Sequence, residues 1–201
     1  MKTILIIEDR PSRLTQHFSN GEDDLSTIKS ISGISMPEKE NCKKIINQIN
    51  DAVYDVIDNL VIIHQSALST KGLDHLNSEC IKKDVSLILF SGGSSQTFFD
   101  SEPFILLSTN AGDLYSSRFI PFLQRYVKGE SESILEVINS NWKISYWMLL
   151  RQLIDTVKLE ENEDRLLEFK RRISSIEKLL NFDSSKGIDG INLQIKKLIL
   201  T

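Results

Sequence analysis

The sequence predicts an α/β protein with a doubly wound sheet of five parallel strands, followed by an all-helical extension. Short, continuous apolar runs alternate with segments whose apolar residues recur every three or four positions, which is the pattern of strands alternating with helices. Continuous apolar runs are typical of strands covered on both faces, and such strands run parallel and are joined through helices. The alternation stops near residue 130. We therefore predict a sheet domain at residues 1–130 and a helical extension at residues 131–201 that serves dimerisation or output.

Four of the five predicted strands are apolar runs, at residues 4–7, 60–63, 85–90 and 104–107. The remaining strand, second in chain order, is predicted at residues 25–31, where apolar and polar residues alternate as they do near the edge of a sheet. Parallel strands in this order are connected by right-handed crossovers.

Helices are predicted where apolar residues recur at helical spacing. In the sheet domain they span residues 11–18, 45–57, 73–81 and 114–127, and in the extension residues 144–157, 166–180 and 188–200. The connection at residues 91–103 is different, because it is short and rich in Gly and Ser. We expect a loop there.

The composition argues against several classes of protein. The 201 residues are 40% hydrophobic and 26% charged, and no window approaches the roughly 18 apolar residues of a membrane span. Acidic residues directly follow the first apolar run, which argues against a signal peptide. Cys42 and Cys80 lack metal or redox spacing and fit a reducing compartment. We expect a cytoplasmic protein with no membrane partner, and the net charge of −4 argues against nucleic-acid binding.

Ligands of doubly wound sheets gather beyond the carboxyl ends of the strands. The candidate site therefore consists of the residues at those ends. They are Glu8 and Asp9 after the first strand, His64 after the third, Ser91 after the fourth and Ser108 after the fifth. The adjacent carboxylates Glu8 and Asp9 repel each other, so we expect a positive group beside them. A protonated His64 would supply that charge.

The stretch ILIIEDRPSRL, residues 4–14, resembles the opening of response-regulator receiver domains, which belong to two-component signal transduction. Their first strand ends in an acid pair and is followed by an Arg- and Leu-containing helix. Ser91, which closes the fourth strand, agrees with the same pattern. The resemblance covers residues 1–130 and implies a receiver-like, flavodoxin-like sheet. It also implies an acid pair that holds Mg²⁺, an acceptor Asp after the third strand, a Ser or Thr after the fourth and a Lys after the fifth.

The chain departs from the receiver pattern at two of these positions. His64 or Gln65 stands where the acceptor Asp is expected, and Ser108, Thr109 and Asn110 follow the fifth strand without a Lys. We therefore interpret the domain as a pseudo-receiver with no phosphoacceptor, whose pocket remnants are Glu8, Asp9, His64, Ser91 and Ser108. We expect no cofactor and no catalytic residue, with Glu8 and Asp9 at most a weak Mg²⁺ site because two carboxylates supply few of its ligands.

These features predict a non-enzymatic signalling or scaffold protein that acts through protein–protein interaction with a partner the sequence does not identify. Two alternatives remain open. One is a small-ligand or nucleotide-binding protein that uses the loop from Ser91 to Ser95, where exposed backbone N–H groups could face an anion. The other is a DNA-binding regulator that uses the helical extension.

The extension is also expected to form a homodimer. Its helices carry at least two apolar stripes, which must be buried against something. A two-helix hairpin would leave Trp142, Tyr146, Leu167 and Leu179 pointing outward. A second copy of the chain could cover these positions.

Overall fold

The computed structural model describes residues 1–10, 12–18, 20–93, 97–100, 105–131, 133–139 and 142–200. The chain forms two compact units, Met1–Ile138 and Asn139–Thr201. The first unit contains the sheet, and the second contains only helices among its described residues. None of the described helices combines the length and apolar character that crossing a membrane requires.

The first unit is an α/β fold, as predicted, and its sheet is mostly parallel rather than wholly parallel. Within the described residues the strands are β1 (Ile4–Ile7), β2 (Ile34–Ser35), β3 (Leu60–His64), β4 (Ser86–Ser91), β5 (Phe98–Asp100) and β6 (Leu106–Asn110). Their order in the sheet is β2-β1-β3-β4-β6-β5, and β5 alone among them is antiparallel to its neighbour. The five parallel strands follow the order of flavodoxin-like sheets, in which the chain reverses its direction of winding between β1 and β3.

The predicted count of five strands is wrong, because the described residues contain six. The additional strand, β5, lies in the segment 91–103, where we expected a loop. Phe98 of β5 is opposite Ser108 of β6, so this short segment turns back and pairs with the edge of the sheet. The predicted strand at 104–107 also begins later, at Leu106. Residue 104 lies outside the described residues.

The second predicted strand is wrong as well. Residues 25–31 lie largely in helix α2 (Glu22–Ser30), which follows helix α1 (Ser12–His17), and the strand that pairs with β1 is the two-residue β2. Three acidic residues in the first turn of α2 interact favourably with the helix dipole. Leu25 and Ile28 are three positions apart, a spacing that also fits one face of a helix. Ile28 is buried.

The third helix, α3 (Lys39–Asn50), ends earlier than the sequence predicts. Ala52 has a φ of 63°, which takes the backbone out of the helix. Val53 and Ile57, assigned to the buried stripe, are therefore 70% and 80% exposed. The helical spacing of these residues has no structural meaning beyond Asn50, because the backbone that carries them is not helical.

The remaining α-helices among the described residues of the first unit are α4 (Thr70–Lys83), α5 (Ala111–Leu114) and α6 (Phe119–Lys128). The predicted helix at 114–127 is thus divided, and Pro121 lies in the first turn of α6, where a missing backbone N–H costs nothing. Asn110 caps α5 by accepting a hydrogen bond from the Gly112 N–H at 2.7 Å.

The two faces of the sheet are covered differently. On one face, strand residues pack against α3 and α4 in an aliphatic core made of Leu5, Ile7, Cys42, Ile46, Ile49, Val56, Val61, Ile63, Leu76, Cys80, Val85, Leu87 and Leu89. The aromatic rings of Phe18, Phe90, Tyr115 and Phe119 form a second cluster with centroid separations of 5.2–6.0 Å. Because strand side chains alternate in direction, Leu89 and Phe90 point to opposite faces.

The second unit contains helices α7 (Lys143–Val157), α8 (Glu163–Leu180) and α9 (Gly187–Leu200), and α7 packs against both of the others. Asn162 caps α8 by accepting a hydrogen bond from the Arg165 N–H at 3.1 Å. The Trp147 ring meets Phe182 edge to face with centroids 4.7 Å apart.

Two of the four residues that we expected to point outward from the extension are buried. The rings of Trp142 and Tyr146 pack edge to face at 5.5 Å, and both side chains are shielded from solvent. Leu167 and Leu179 are exposed, as predicted. The other exposed large apolar residues described in this unit are Met148, Leu159, Leu193 and Ile199.

Candidate functional site at the carboxyl edge of the sheet

The register of the parallel strands brings the candidate residues to one edge. Ile7 is opposite Ile63 on β3, so Glu8 and His64 follow at the same level. His64 is opposite Phe90 on β4, and Ser91 is opposite Asn110 on β6. Parallel pairing thus places residues that are far apart in the chain next to each other, at the edge where the direction of winding reverses.

Glu8 is 1% exposed and is held from two sides. Its Oε1 accepts a hydrogen bond from the Arg10 backbone N–H at 2.9 Å, and its Oε2 accepts one from the Tyr115 hydroxyl at 3.1 Å. A buried carboxylate needs such donors to offset its lost hydration. Tyr115 is not among the predicted site residues, and it lies 107 positions from Glu8 in the chain. The signal that could have found it is an aromatic hydroxyl just after the last strand.

Asp9 lies beside His64, as predicted. The His64 Nδ1 is 2.8 Å from the Asp9 Oδ1, and the His64 side chain is 2% exposed. The imidazole also packs against the Phe90 ring at a centroid distance of 5.5 Å. Arg10 Nε lies 3.7 Å from the other Asp9 oxygen, on the exposed side of the carboxylate. Asp9 is thus positioned between a buried imidazole and an exposed guanidinium.

Ser91 and Ser108 occupy different positions relative to this cluster. The Ser91 Oγ accepts a hydrogen bond from the Gly93 N–H at 3.2 Å and lies 3.4 Å from the Ser66 Oγ. The predicted position of Ser108, directly after the last parallel strand, is wrong. Ser108 lies within β6, which continues to Asn110. With a rise of roughly 3.3 Å per residue, Ser108 lies about 7 Å short of the strand end. Ser94 and Ser95 of the predicted ligand loop lie outside the described residues.

The cluster can be tested for its fit to the Mg²⁺ that the receiver resemblance implies. One ligand atom from each of Glu8, Asp9 and His64 lies within 4.8 Å of the others. Mg²⁺ prefers six ligands, nearly all oxygen, in an octahedral arrangement. This set offers two carboxylates and one imidazole nitrogen, and both carboxylates are already engaged in hydrogen bonds. The donor set therefore fits Mg²⁺ poorly, and a metal that accepts nitrogen and oxygen together suits it better.

Cys42 on α3 faces the same region. Burial raises the pKa of the Cys42 thiol. A hydrogen bond with the Glu8 backbone partly opposes this rise, and the negative charges of Glu8 and Asp9 add to it. Its Sγ lies 3.1 Å from the Pro37 carbonyl oxygen. The raised pKa favours the protonated thiol, which is a weaker nucleophile than the thiolate.

A cavity of about 340 Å³ opens on the α3 side of the acid pair. Three cationic side chains line it, together with one carboxylate, one amide and two apolar groups. The lining residues are Asp9, Arg10, Lys39, Lys43, Ile46, Asn47 and Ala67.

The fold and this site define an α/β protein with a hydrogen-bonded acid–histidine cluster at the carboxyl edge of a mostly parallel sheet. Comparisons of the chain with protein-family models, curated proteins and solved structures gave no match. The likeness to receiver domains therefore rests on residues 4–14 and on the order of the strands.

Proposed function

We propose that the chain is a non-enzymatic signalling or scaffold protein, built on a receiver-like domain that acts without aspartyl phosphorylation. The observation that carries the proposal is the pairing at the end of β3. His64 stands at the position where a receiver would have its acceptor Asp, and its Nδ1 lies 2.8 Å from Asp9.

Phosphoryl transfer to a carboxylate needs a nucleophile in line with the phosphorus and cations that neutralise the developing charge. The end of β3 carries His64 in place of an acid, and the residues that end β6 do not include the Lys that a receiver carries there. Glu8 is buried and engaged by Tyr115 and by the Arg10 backbone. A domain with this pocket would signal through its surface rather than through a phosphorylated state.

Incubation with acetyl phosphate and Mg²⁺, followed by intact-mass measurement, tests the proposal. We expect the mass to remain that of the unmodified chain. An added phosphoryl group that disappears in Asp9→Asn but persists in Asp74→Asn, an exposed carboxylate on α4, would show aspartyl phosphorylation and refute the proposal.

We also propose that the second unit joins two copies of the chain. Support comes from its exposed apolar side chains, which include Leu167 on α8 and Leu193 on α9 at 51% and 54% exposure. Stable dimer interfaces bury about 1,200–2,000 Å² in total, with an apolar centre. A second copy offers the same apolar surface, so a twofold arrangement would cover both.

Light scattering on the full chain measures this directly. We expect a dimer that becomes a monomer in Leu167→Lys or Leu193→Lys. Ile57→Lys is the matched control, because it places the same charge on an exposed apolar position of the first unit. A wild-type mass of 22.9 kDa at tens of micromolar would refute self-association.

A further inference from the structure

The cavity beside Asp9 has a charge arrangement that the acid–histidine cluster does not explain. Lys39, Lys43 and Asn47 occupy positions i, i+4 and i+8 of α3, so they form one stripe along the helix. Arg10 lines the same cavity from the segment that follows β1. Three cations therefore share one opening of about 340 Å³.

The acidic groups near this cavity offset its positive charge only in part. Asp9 is engaged by His64 at 2.8 Å and lies 3.7 Å from Arg10. Glu40 lies 3.1 Å from Lys43, but it is outside the cavity lining and its side chain is 84% exposed. Counting the lining residues alone, three cations less one carboxylate leave a charge of +2.

Lys39 lies at the start of α3 between two acidic residues, Glu38 at the N-cap and Glu40 in the first turn. Lys39 is the first residue of α3, where the helix dipole and the backbone N–H groups are positive. The N-cap residue, Glu38, makes no side-chain capping hydrogen bond. A bound anion would offset the charges of Lys39 and of the helix terminus together.

The location and lining of the cavity fit a small organic anion. The cavity lies at the carboxyl ends of β1 and β3, where the winding reverses and where doubly wound sheets bind ligands. Its volume is at the lower end of the range for small-molecule pockets. Ile46 and Ala67 offer apolar contacts, and the Asn47 amide offers a donor and an acceptor.

We propose that this cavity binds a small phosphate monoester. The dianionic phosphate lies among Arg10, Lys39 and Lys43, and the organic group contacts Ile46 and Ala67. Three cations that line one cavity match a dianion better than the single charge of a carboxylate, and a guanidinium pairs with phosphate oxygens in bidentate geometry. Binding is reversible and involves no covalent step, so it does not require phosphorylation of the domain.

Isothermal titration of the full chain tests the site with adenosine monophosphate, inorganic phosphate and acetate as probes, at fixed pH and ionic strength. We expect adenosine monophosphate to bind more tightly than phosphate, and acetate to bind weakest. Lys39→Gln and Lys43→Gln should each weaken binding about tenfold, the loss of one charge-assisted contact. Lys44→Gln is the matched control, since Lys44 is exposed on the same helix and does not line the cavity.

Three outcomes would overturn the proposal. The first is that neither adenosine monophosphate nor inorganic phosphate binds at 10 mM. The second is a loss of affinity in Lys44→Gln equal to that in Lys43→Gln, which would indicate non-specific attraction to a basic helix. The third is acetate binding as tightly as phosphate. Each variant replaces an exposed lysine, and thermal unfolding verifies that it is folded.

Discussion

His64 Nδ1 lies 2.8 Å from Asp9 Oδ1, although 55 positions separate the two residues in the chain. The parallel pairing of β1 with β3 produces this contact, because it places the residues after both strands at one level. Asp9 is partly exposed, and Arg10 lies 3.7 Å from it. His64 is buried, and it contacts both Asp9 and Phe90. The pair therefore lies at the carboxyl edge of the sheet, where β1 and β3 end side by side.

The first prediction concerns the coupling between these two side chains. Asp9→Asn and His64→Gln should each lower the free energy of unfolding, and the double variant should lose less than the sum. We expect a coupling of about 1–3 kcal/mol, since one partner is buried and the contact is close. Urea unfolding of the four proteins measures it, and additive effects would show that the contact contributes nothing.

The second prediction concerns the two thiols. Burial raises the pKa of the Cys80 thiol to about 12, and burial also raises the pKa of Cys42. We expect neither thiol to react with a disulfide reagent at pH 8 in the folded protein, and both to react in denaturant. A variant with an exposed cysteine, Ser26→Cys, provides the control for reagent activity. Rapid reaction of one thiol per chain in the folded wild-type protein would contradict the prediction.

The third prediction follows from the contact between Lys83 and Asp55. The hydrogen bond from Lys83 lowers the pKa of Asp55, and the same bond raises the pKa of Lys83. Lys83 also donates to the Val56 carbonyl at 2.7 Å. A lowered carboxyl pKa adds stability that is present above its unfolded value of about 3.9 and is lost as the pH falls through the folded pKa. The raised pKa of Lys83 adds stability below its unfolded value of about 10.4, which is lost as the pH rises through the folded pKa.

Lys83→Met should therefore destabilise the protein at pH 7, and its difference from wild type should shrink as the pH falls from 5 towards 2. Urea unfolding at a series of pH values measures this difference. Lys82→Met is the control, since Lys82 is the exposed neighbour and lies 3.5 Å from Glu79. A difference between Lys83→Met and wild type that does not change with pH would contradict the role of Asp55.

The fourth prediction concerns Gly72 in α4, which packs against the end of α3. A Cβ at Gly72 would lie 3.0 Å from the Asn50 Cα and closer still to its side-chain oxygen. That oxygen accepts hydrogen bonds from the Ser69 N–H and hydroxyl, at 2.7 and 3.0 Å, so it is not free to move. Gly72→Ala gains up to about 1 kcal/mol of helix propensity.

Overpacking against Asn50 costs about 1–3 kcal/mol and should exceed that gain. We therefore expect a lower melting temperature for Gly72→Ala. Gly92→Ala is the control, because no atom lies within 4 Å of its added Cβ. A higher melting temperature for Gly72→Ala would contradict the prediction, because it would mean that Asn50 moves to make room for the added Cβ.

Some elements of the fold could be predicted from the local sequence pattern, and others could not. The continuous apolar runs of β1, β3 and β4 fit no other buried element of that length, so their positions and parallel pairing could be predicted. The contact of His64 with Asp9 followed from that pairing. Residues 25–31, in contrast, fit both an alternating strand and one face of a helix, and the chain forms α2 there. The strand β2 has only two residues, which is too short for a strand to be predicted from apolar periodicity.

The sequence by itself therefore determined the class of fold, the central strands and the acidic and imidazole groups that meet at their ends. Tertiary structure alone decided that Tyr115 donates to Glu8, that β5 turns back on β6, and that Arg10 shares a cavity with Lys39. Periodicity reports which face of an element is buried, because that depends on near neighbours in the chain. It carries no information on which distant side chain completes a hydrogen bond or a cavity wall, because that depends on how the elements pack.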